Sequence, residues 1–321
     1  MKISPVRLAA AALAVLFVTT ALAQYPARPI KLLVTTPPGG GPDVIARVLG
    51  QGLGEVLHQP VVVENRPGSN GNIAAEITAR AAPDGYTLLL CPEGLVVINP
   101  HIYAKLAIDP LKELVPVASI FWSNFVLSVN PSLPVKNFQE FVEYARKARP
   151  PLAYASGGNG SQHQLIMELL KSTAGINLVH VPYKGGAPAT TAAVAGDVAA
   201  LFAGPSILAQ ARSGKLRAIA VSGEKRSSVF PELPTIGEFY PGASINPWAG
   251  MFAPAGTPEA IVARLHAEVN RLLAQSDMAE KFERAGGVEP YITSSDQLAA
   301  MIHAQYIKYG KIVKAIGVTV D

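Results

Sequence analysis

The stretch IKLLVTTPPGGGPDVIARVLGQGLGEVL, Ile30 to Leu57, decides the fold. Its first residues are apolar and β-branched, which predicts a strand, and the residues from Asp43 onward have the apolar spacing of an amphipathic helix. Three glycines, Gly39 to Gly41, lie between the two. We expect Asp43 to be the N-cap of the helix, because an aspartate side chain can accept from the first free amides.

The same device, a strand, a glycine-rich loop and a helix, returns at YASGGNGSQHQLIMELL. Between and after these stretches, short apolar runs alternate with helical ones, which predicts an α/β fold with largely parallel sheets. The pattern breaks near Phe125 and again at Gly223 to Ser228. We therefore predict a discontinuous first domain, residues 24–125 and 226–321, and a second domain, residues 126–225.

The composition is that of an exported globular protein. Its 321 residues suffice for about two domains, and 49% hydrophobic residues exclude a disordered or fibrous chain. Residues 1–23 have the pattern of a cleavable signal peptide, with Lys2 and Arg7, an apolar core too short to span a bilayer, and Ala21-Leu22-Ala23 before the cleavage site. Because Cys91 is the single cysteine, the chain has no internal disulfide. The sequence contains no run of basic residues such as nucleic-acid binding would require. We expect a periplasmic protein.

The glycine loops do not match the known nucleotide or hydrolase loops. Neither is followed by Gly-Lys-Ser/Thr, as a triphosphate-binding loop requires. Starting at Gly39, the dinucleotide fingerprint places Val44 where its third glycine belongs. No serine has glycine at both flanking positions of a nucleophile elbow.

Metal and acid–base chemistry are equally poorly supported. The six histidines show no H-x-x-x-H spacing, and no C-x-x-C or EF-hand run occurs. We expect no metal and no cofactor. An exported enzyme acting on an organic acid stays open as an alternative, with His163 and a nearby carboxylate as acid and base.

Each loop ends at a helix N-terminus, where unpaired amides and a partial positive charge favour an anion. Neither loop contains Lys or Arg, which favours a carboxylate held by neutral dipoles over a salt-bridged phosphate. Alternatively, both are ordinary strand-to-helix turns. Because one loop lies in each half of the chain, we favour a cleft between two α/β domains with one helix terminus on each side.

Five blocks carry a family resemblance: YPARPIKLLVTTPPGGGPDVIARVLGQGL, VVVENRPGSNGNIAAEITARAAPDGYTLLL, YASGGNGSQHQLIMELL, VHVPYKGGAPATTAAVAGDV and WAGMFAPAGTPEAIVARL. From Tyr25 to the C-terminus the chain resembles the Bug family, the periplasmic receptors of tripartite tricarboxylate transporters. The resemblance implies a periplasmic-binding-protein fold, two α/β domains joined by two hinge crossings. It implies a small carboxylate ligand (a dicarboxylate, a tricarboxylate, an acidic amino acid or an aromatic acid) and delivery to a permease of one large and one small membrane subunit.

We expect a monomer. A sensor subunit that signals the closed state is the remaining alternative.

The resemblance also implies the ligand-binding residues. In the first loop they are Thr36, Pro37, Pro38, Gly39, Gly40 and Asp43; in the second, Ser156, Gly157, Gly158, Asn159, Gly160, Ser161 and His163. Ser69 and Asn72 would line the cleft, with Lys184 near its mouth and Phe202 and Gly204 at a strand end that faces it. A surface lysine is the alternative for Lys184, and His163 is more typical of a helix-anchoring hydrogen-bonder than of a direct ligand.

One position departs from the family pattern. Relatives usually have an aromatic residue where this chain has Thr36, and Pro42 stands where a small polar residue is common. The carboxylate anchor depends on backbone geometry and is expected to remain. We predict a wider or more polar pocket beyond it, suited to a bulkier acid.

Overall fold

The computed structural model describes residues 25–227 and 230–320, so the predicted signal peptide lies outside the described residues. Within this part, the strands form two separate sheets. One sheet takes its strands from both ends of the chain and the other from the middle. The predicted α/β class with two units is confirmed.

The first sheet has six strands in the order β11-β4-β10-β3-β1-β2. Their bounds are β1 Ile30–Val34, β2 Val61–Asn65, β3 Thr87–Pro92, β4 Leu114–Trp122, β10 Trp248–Pro254 and β11 Glu289–Pro290. The second sheet has five strands in the order β7-β6-β8-β5-β9. Its bounds are β5 Val126–Val129, β6 Leu152–Ser156, β7 Leu178–Pro182, β8 Ala200–Ala203 and β9 Arg217–Val221.

The helices connect these strands and cover the sheets. In chain order they are α1 Gly41–Leu57, α2 Asn72–Ala79, α3 Gly94–Val97, α4 Asn99–Ile102, α5 Pro110–Glu113, α6 Phe138–Lys147, α7 Gln162–Ala174, α8 Gly186–Ala195, α9 Leu208–Arg212, α10 Glu259–Leu273, α11 Ser276–Gly286 and α12 Ser295–Ile316. Short 3₁₀ turns lie at Ser69–Gly71, Pro205–Ile207 and Ile236–Glu238.

The sheets are mixed, so the expectation of largely parallel sheets is wrong. Strand β1 pairs in parallel with β2 and β3, and β6 does so with β7 and β8. Strands β5 and β10 are antiparallel to all their partners. Each of these two strands is the first strand after the chain passes from one sheet to the other. It runs opposite to the parallel strands of the sheet that it joins, which are connected by helices.

Two short segments connect the sheets and lie side by side. The Ser123 amide donates to the Pro247 carbonyl at 2.8 Å. The Ser222 amide donates to the Phe125 carbonyl at 2.8 Å, and the Ile245 amide donates to the Ser222 carbonyl at the same distance. Residues 123–125 form the first crossing from one sheet to the other, and residues 245–247 form the second. The main-chain bonds hold the two crossings together as a paired crossing.

The segment before the second crossing belongs with the second sheet. Phe230 and Leu233 are buried in the cluster formed by β5, β8 and β9, and Thr235 bridges Val221 in parallel. This contact was not visible in the sequence, where the boundary was predicted near Arg226.

A continuous apolar core links the two sheets. It includes Leu33 and Leu89 of the first sheet, Leu127 of the second, and Leu165 of α7. The C-terminal helix α12 contacts α7, which starts directly after the second glycine loop. The core thus extends beneath the glycine-rich loops.

Candidate ligand-binding site

The first loop follows β1 and is held from behind by a buried carboxylate. The Asp43 side chain is 2% exposed and accepts from the Gly39 amide at 2.8 Å, from Arg47 at 2.8 Å and from Asn65 at 2.8 Å. The N-cap is Gly40, without a side-chain hydrogen bond, so the prediction that Asp43 caps α1 is wrong. The hydrogen bonds of Arg47, Gly39 and Asn65 outweigh burial and lower the pKa of Asp43.

This arrangement leaves donors at the start of α1. The Gly40 amide donates to the Pro37 carbonyl at 3.2 Å, and the Gly39 amide is taken by Asp43. Among the described residues, the amides of Gly41 and Asp43 find no acceptor outside the helix. A helix N-terminus with free amides is an anion-binding geometry.

The segment Ser69–Asn72 has an unusual backbone. Ser69 and Asn70 have φ of 46° and 50°, and Gly71 has φ of 92°. Left-handed non-glycine residues cost free energy and persist where the surroundings fix them. Here the Asn99 side chain donates to the Asn70 carbonyl at 3.2 Å and to the Asn72 side chain at 2.7 Å. A β-carbon at Gly71 would lie 2.9 Å from Thr35 Cγ2, so this segment lies against the first loop.

The second loop follows β6, and its hydroxyls are engaged within the loop. Ser156 Oγ accepts from the Gly158 amide at 3.1 Å and lies 2.6 Å from His180 Nε2. Ser161 caps α7 and donates to the Gly158 carbonyl at 2.7 Å. Both hydroxyls, which belong to predicted ligand-binding residues, therefore stabilise the loop in this structure.

Free amides remain in the second loop as well. Within the described part of the chain, the amides of Asn159, Gln162 and His163 donate to no protein acceptor. Gly158 and Gly160 have φ of 126° and 72°, a region that only glycine adopts without strain. The glycines therefore allow the loop to turn its amides outward.

The second glycine loop contacts the Ser69–Asn72 segment and the C-terminal residues of the other half of the chain. Asn70 Nδ2 donates to the Asn159 carbonyl at 3.2 Å and to the Tyr103 hydroxyl at 3.1 Å. A β-carbon at Gly160 would collide with Ile102 Cδ1 and would lie 2.8 Å from Val320 Cγ2. The second loop therefore lies against the segment that packs on Thr35 at the start of the first loop.

Buried polar atoms without partners concentrate here. Two such side-chain atoms among the described residues belong to this region, Thr36 Oγ1 and His163 Nδ1; the neighbouring side chains of Glu93 and Gln162 interact with each other. Buried polar groups are nearly always hydrogen-bonded in native proteins. A polar ligand is the simplest partner for such a group of donors and acceptors.

Comparison with known proteins identifies the family. Residues 45–318 match the family model TctC, described as the tripartite tricarboxylate transporter family receptor. BugT of Bordetella pertussis is 37% identical over 297 residues, which are 91% of this chain and 90% of BugT. This chain belongs to the tripartite tricarboxylate transporter receptor family.

Solved structures agree with this assignment. Rpa4515 of R. palustris, determined with adipate, has a TM-score of 0.86 and 32% identity, covering 92% of this chain and 99% of that chain. MatC of Rhodopseudomonas palustris, determined with bound malate, has a TM-score of 0.79 and 31% identity, covering 90% of this chain and 100% of that chain. The resemblance to the Bug family and the binding-protein fold are confirmed.

Glu93 is a residue of this receptor that the sequence analysis missed. It is fully buried at the end of β3, where the Trp248 amide donates to its Oε2 at 3.0 Å. Burial raises the pKa of Glu93 to about 8, against the lowering effect of that amide and of the Gln162 and Tyr309 side chains. The residue thus connects β3 with β10, α7 and α12. A lone acidic residue in an apolar run gave no signal for this position.

His163 stacks on Phe125 of the first crossing, with ring centroids 4.9 Å apart. No described residue hydrogen-bonds to its ring, so the expectation that it anchors the helix by a hydrogen bond is wrong. Burial lowers the pKa of His163 to about 4. An acid–base pair with a nearby carboxylate, as the enzyme alternative required, does not form with the described residues.

The remaining predicted residues lie apart from these contacts. Lys184 is exposed and forms no ion pair with the described residues, although its neighbour Gly185 donates to the Gly157 carbonyl at 3.1 Å. Phe202 is fully buried in the core of the second sheet. Gly204 precedes Pro205, which lies against Gly287 of the other half. The described residues contain no metal-ligating cluster and no helix long and apolar enough to cross a membrane.

Proposed function

We propose that this receptor binds a small carboxylate between its two α/β domains and delivers it to the large and small membrane subunits of a tripartite tricarboxylate transporter. Its leader sequence directs it to the periplasm, where it acts as a monomer. Rpa4515 was determined with adipate and MatC with malate, which are both dicarboxylates. We propose the same ligand class for this chain.

The carboxylate is held by backbone amides at two helix N-termini. The amides of Gly41 and Asp43 face the carboxylate from the first domain. The amides of Asn159, Gln162 and His163 face it from the second domain. Each helix N-terminus has a partial positive charge of roughly half a unit. Two such termini offset a single carboxylate charge without a salt bridge.

The charges near the loops support this mode of binding. Arg47 is engaged by Asp43 at 2.8 Å, and Lys184 is exposed. Neutral donors hold an anion less tightly than a desolvated ion pair does, and a transport receptor has to release its ligand. The unpartnered atoms of Thr36 and His163 then contact the rest of the ligand.

The single observation that carries this proposal is the contact of the second loop with the other half of the chain. The Asn70 side chain donates to the Asn159 carbonyl, and the segment that contains Asn70 packs on Thr35 at the start of the first loop. An ordinary strand-to-helix turn requires no such contact. The turn interpretation accounts for each loop alone but not for this link between the two halves.

Closure on the ligand uses the paired crossing. We propose that the domains rotate about residues 123–125 and 245–247, and that the second domain extends to this crossing rather than ending at residue 225. Few main-chain bonds join the two connecting segments, and hinges of binding proteins are short segments of this kind.

A thermal-shift screen of the mature chain, residues 24–321, tests the ligand class. The panel contains adipate, malate, citrate, glutamate and benzoate, with glucose and inorganic phosphate as controls. A ligand at 100 times its Kd adds about 2.7 kcal/mol to the free energy of unfolding, which raises Tm by several degrees. Stabilisation by glucose or phosphate and by no carboxylate would refute the proposal.

A further inference from the structure

A polar network lies directly beneath the second glycine loop and involves none of the free amides. Its centre is His180, a half-buried residue of β7. His180 Nε2 lies 2.6 Å from Ser156 Oγ, and His180 Nδ1 lies 3.2 Å from Gln164 Nε2. The imidazole therefore touches both the beginning of the loop and the first turn of α7.

The hydrogen bonds fix which nitrogen of His180 carries the proton. The Gly160 amide donates to Gln164 Oε1 at 2.7 Å, which sets the orientation of the Gln164 amide group. Gln164 Nε2 then faces the imidazole, and an amide nitrogen can only donate. Nδ1 of His180 must therefore accept, so the proton is on Nε2 and is donated to Ser156.

This tautomer is opposite to that of a catalytic pair. A histidine that activates a serine presents an unprotonated nitrogen to the hydroxyl. Here the unprotonated nitrogen faces Gln164 instead. The short Ser156–His180 contact is structural, which further weakens the enzyme alternative.

The network reaches both glycines that shape the loop. Ser156 Oγ accepts from the Gly158 amide at 3.1 Å and donates to the Gly158 carbonyl at 3.0 Å. Gln164 holds the Gly160 amide. Asn159, whose carbonyl accepts from Asn70 of the other half, lies between these two fixed glycines. One imidazole thus sets the loop geometry from both sides.

We propose that His180 and Gln164 are positioning residues for carboxylate binding, and that only the neutral, Nε2-protonated imidazole holds the loop in its binding geometry. The proposal rests on the proposed function for the ligand class. Protonation would place a second N–H on Nδ1, directed at the Gln164 amide donor. The Gln164 side chain would have to rotate and would release Gly160.

The surrounding charges do not compensate for such a proton. The Tyr154 ring stacks on His180 with centroids 5.0 Å apart, and its hydroxyl donates to Glu168 at 2.6 Å. Glu168 is also paired with Lys171 at 2.8 Å. Burial lowers the pKa of His180; Glu168 opposes this effect and Lys171 reinforces it.

Three variants separate a positioning role from a merely structural one. His180→Gln keeps one donor and one acceptor but cannot titrate. His180→Phe keeps the stacking on Tyr154 and removes both hydrogen bonds. Gln164→Glu still accepts from Gly160 and gives the protonated imidazole an acceptor at Nδ1. The exposed His303 provides the control His303→Gln.

The first measurement needs no ligand. Nitrogen-15 NMR of the mature protein assigns the tautomer of His180 and follows the Gly158 and Gly160 amide signals from pH 7 to pH 5. We expect an Nε2-protonated ring and glycine signals that move with the His180 midpoint. An Nδ1-protonated ring, or glycine signals that do not follow His180, would overturn the proposal.

The second measurement is calorimetric titration with the carboxylate panel over the same pH range. Wild type and His303→Gln should lose affinity up to about tenfold per pH unit below the His180 midpoint, since one proton competes with the bound state. His180→Gln and Gln164→Glu should lose this acid dependence, and His180→Phe should bind at least about tenfold more weakly at pH 7. An acid dependence unchanged in His180→Gln would overturn the proposal. If no carboxylate binds at any pH, the proposed function fails, while the NMR result still decides the role of His180.

Discussion

At the residue scale, Gly160 determines how closely the two halves approach. Its φ of 72° is left-handed, and a β-carbon there would collide with Ile102 of the other half. Gly175 has a similar φ of 63° with no atom within 4 Å of a β-carbon. The two glycines share the backbone requirement but differ in their surroundings.

Gly160→Ala should therefore weaken carboxylate binding at least about tenfold, and Gly175→Ala should change it less than about twofold. Both variants should lose about 1 kcal/mol of stability, because alanine is strained at a left-handed φ. Calorimetric titration and urea unfolding measure the two effects. Equal losses of affinity in the two variants would show that closure does not depend on the loop contact.

Glu93 gives a pH-dependent prediction. Its folded pKa of about 8 lies above the ordinary carboxyl value of 4.5, so the folded state binds the proton more tightly than the unfolded state. The stabilisation by the neutral carboxyl is complete below pH 4.5 and is lost as the pH rises to about 8. Glu93→Gln is neutral at every pH and should raise Tm by several degrees at pH 8 but much less at pH 5. A Tm difference that is equal at both pH values would contradict this assignment.

Thr36 should influence which acid binds more than whether an acid binds. Among the described residues its buried hydroxyl has no partner, and the family resemblance implies an aromatic residue at this position. Thr36→Phe fills the space beyond the anchor and should reverse the order of affinities between bulky and small carboxylates. Thr36→Val keeps the shape and should lower the affinities without reordering them. An unchanged order in Thr36→Phe, measured by calorimetry, would refute the role of this position.

At the element scale, the strand–loop–helix device was predictable because it is local. The apolar run of β1 and the helical spacing of α1 lie within one stretch of sequence, and so do β6 and α7. The cap of α6 is local as well, since the Asn137 side chain accepts from the Glu140 amide at 2.9 Å. The prediction that Asp43 caps α1 was wrong because its side chain accepts from Arg47 and from Asn65. Asn65 lies on β2, and a local sequence pattern cannot show that a side chain from another strand binds this carboxylate.

The first turns of α1 and α11 provide a matched comparison. Asp43 pairs with Arg47, and Asp277 pairs with Lys281 at the same spacing, but Asp277 is exposed. Asp43→Ala strands the Gly39 amide and the Asn65 side chain and should cost about 2–3 kcal/mol. Asp277→Ala should cost less than about 0.5 kcal/mol. Urea unfolding measures both, and comparable costs would exclude a bracing role for Asp43.

At the scale of the whole molecule, the sequence indicated the class, the export signal and the two loops. It did not show the antiparallel entry of β5 and β10, the packing of Phe230 and Leu233 on the second sheet, or the place of Glu93. Each of these depends on contacts between segments that are not adjacent in sequence, such as β5 with β8 or Glu93 with Trp248, for which a single sequence has no periodic signal.

We propose that backbone amides from both halves of the chain hold one carboxylate. Amide NMR of the deuterated mature protein, titrated with the carboxylate that stabilises it most, tests this mode of binding. We expect the signals of Gly41, Asp43, Asn159, Gln162 and His163 to shift together and to saturate at one equivalent. Saturable binding that leaves either group of amides unmoved would refute it.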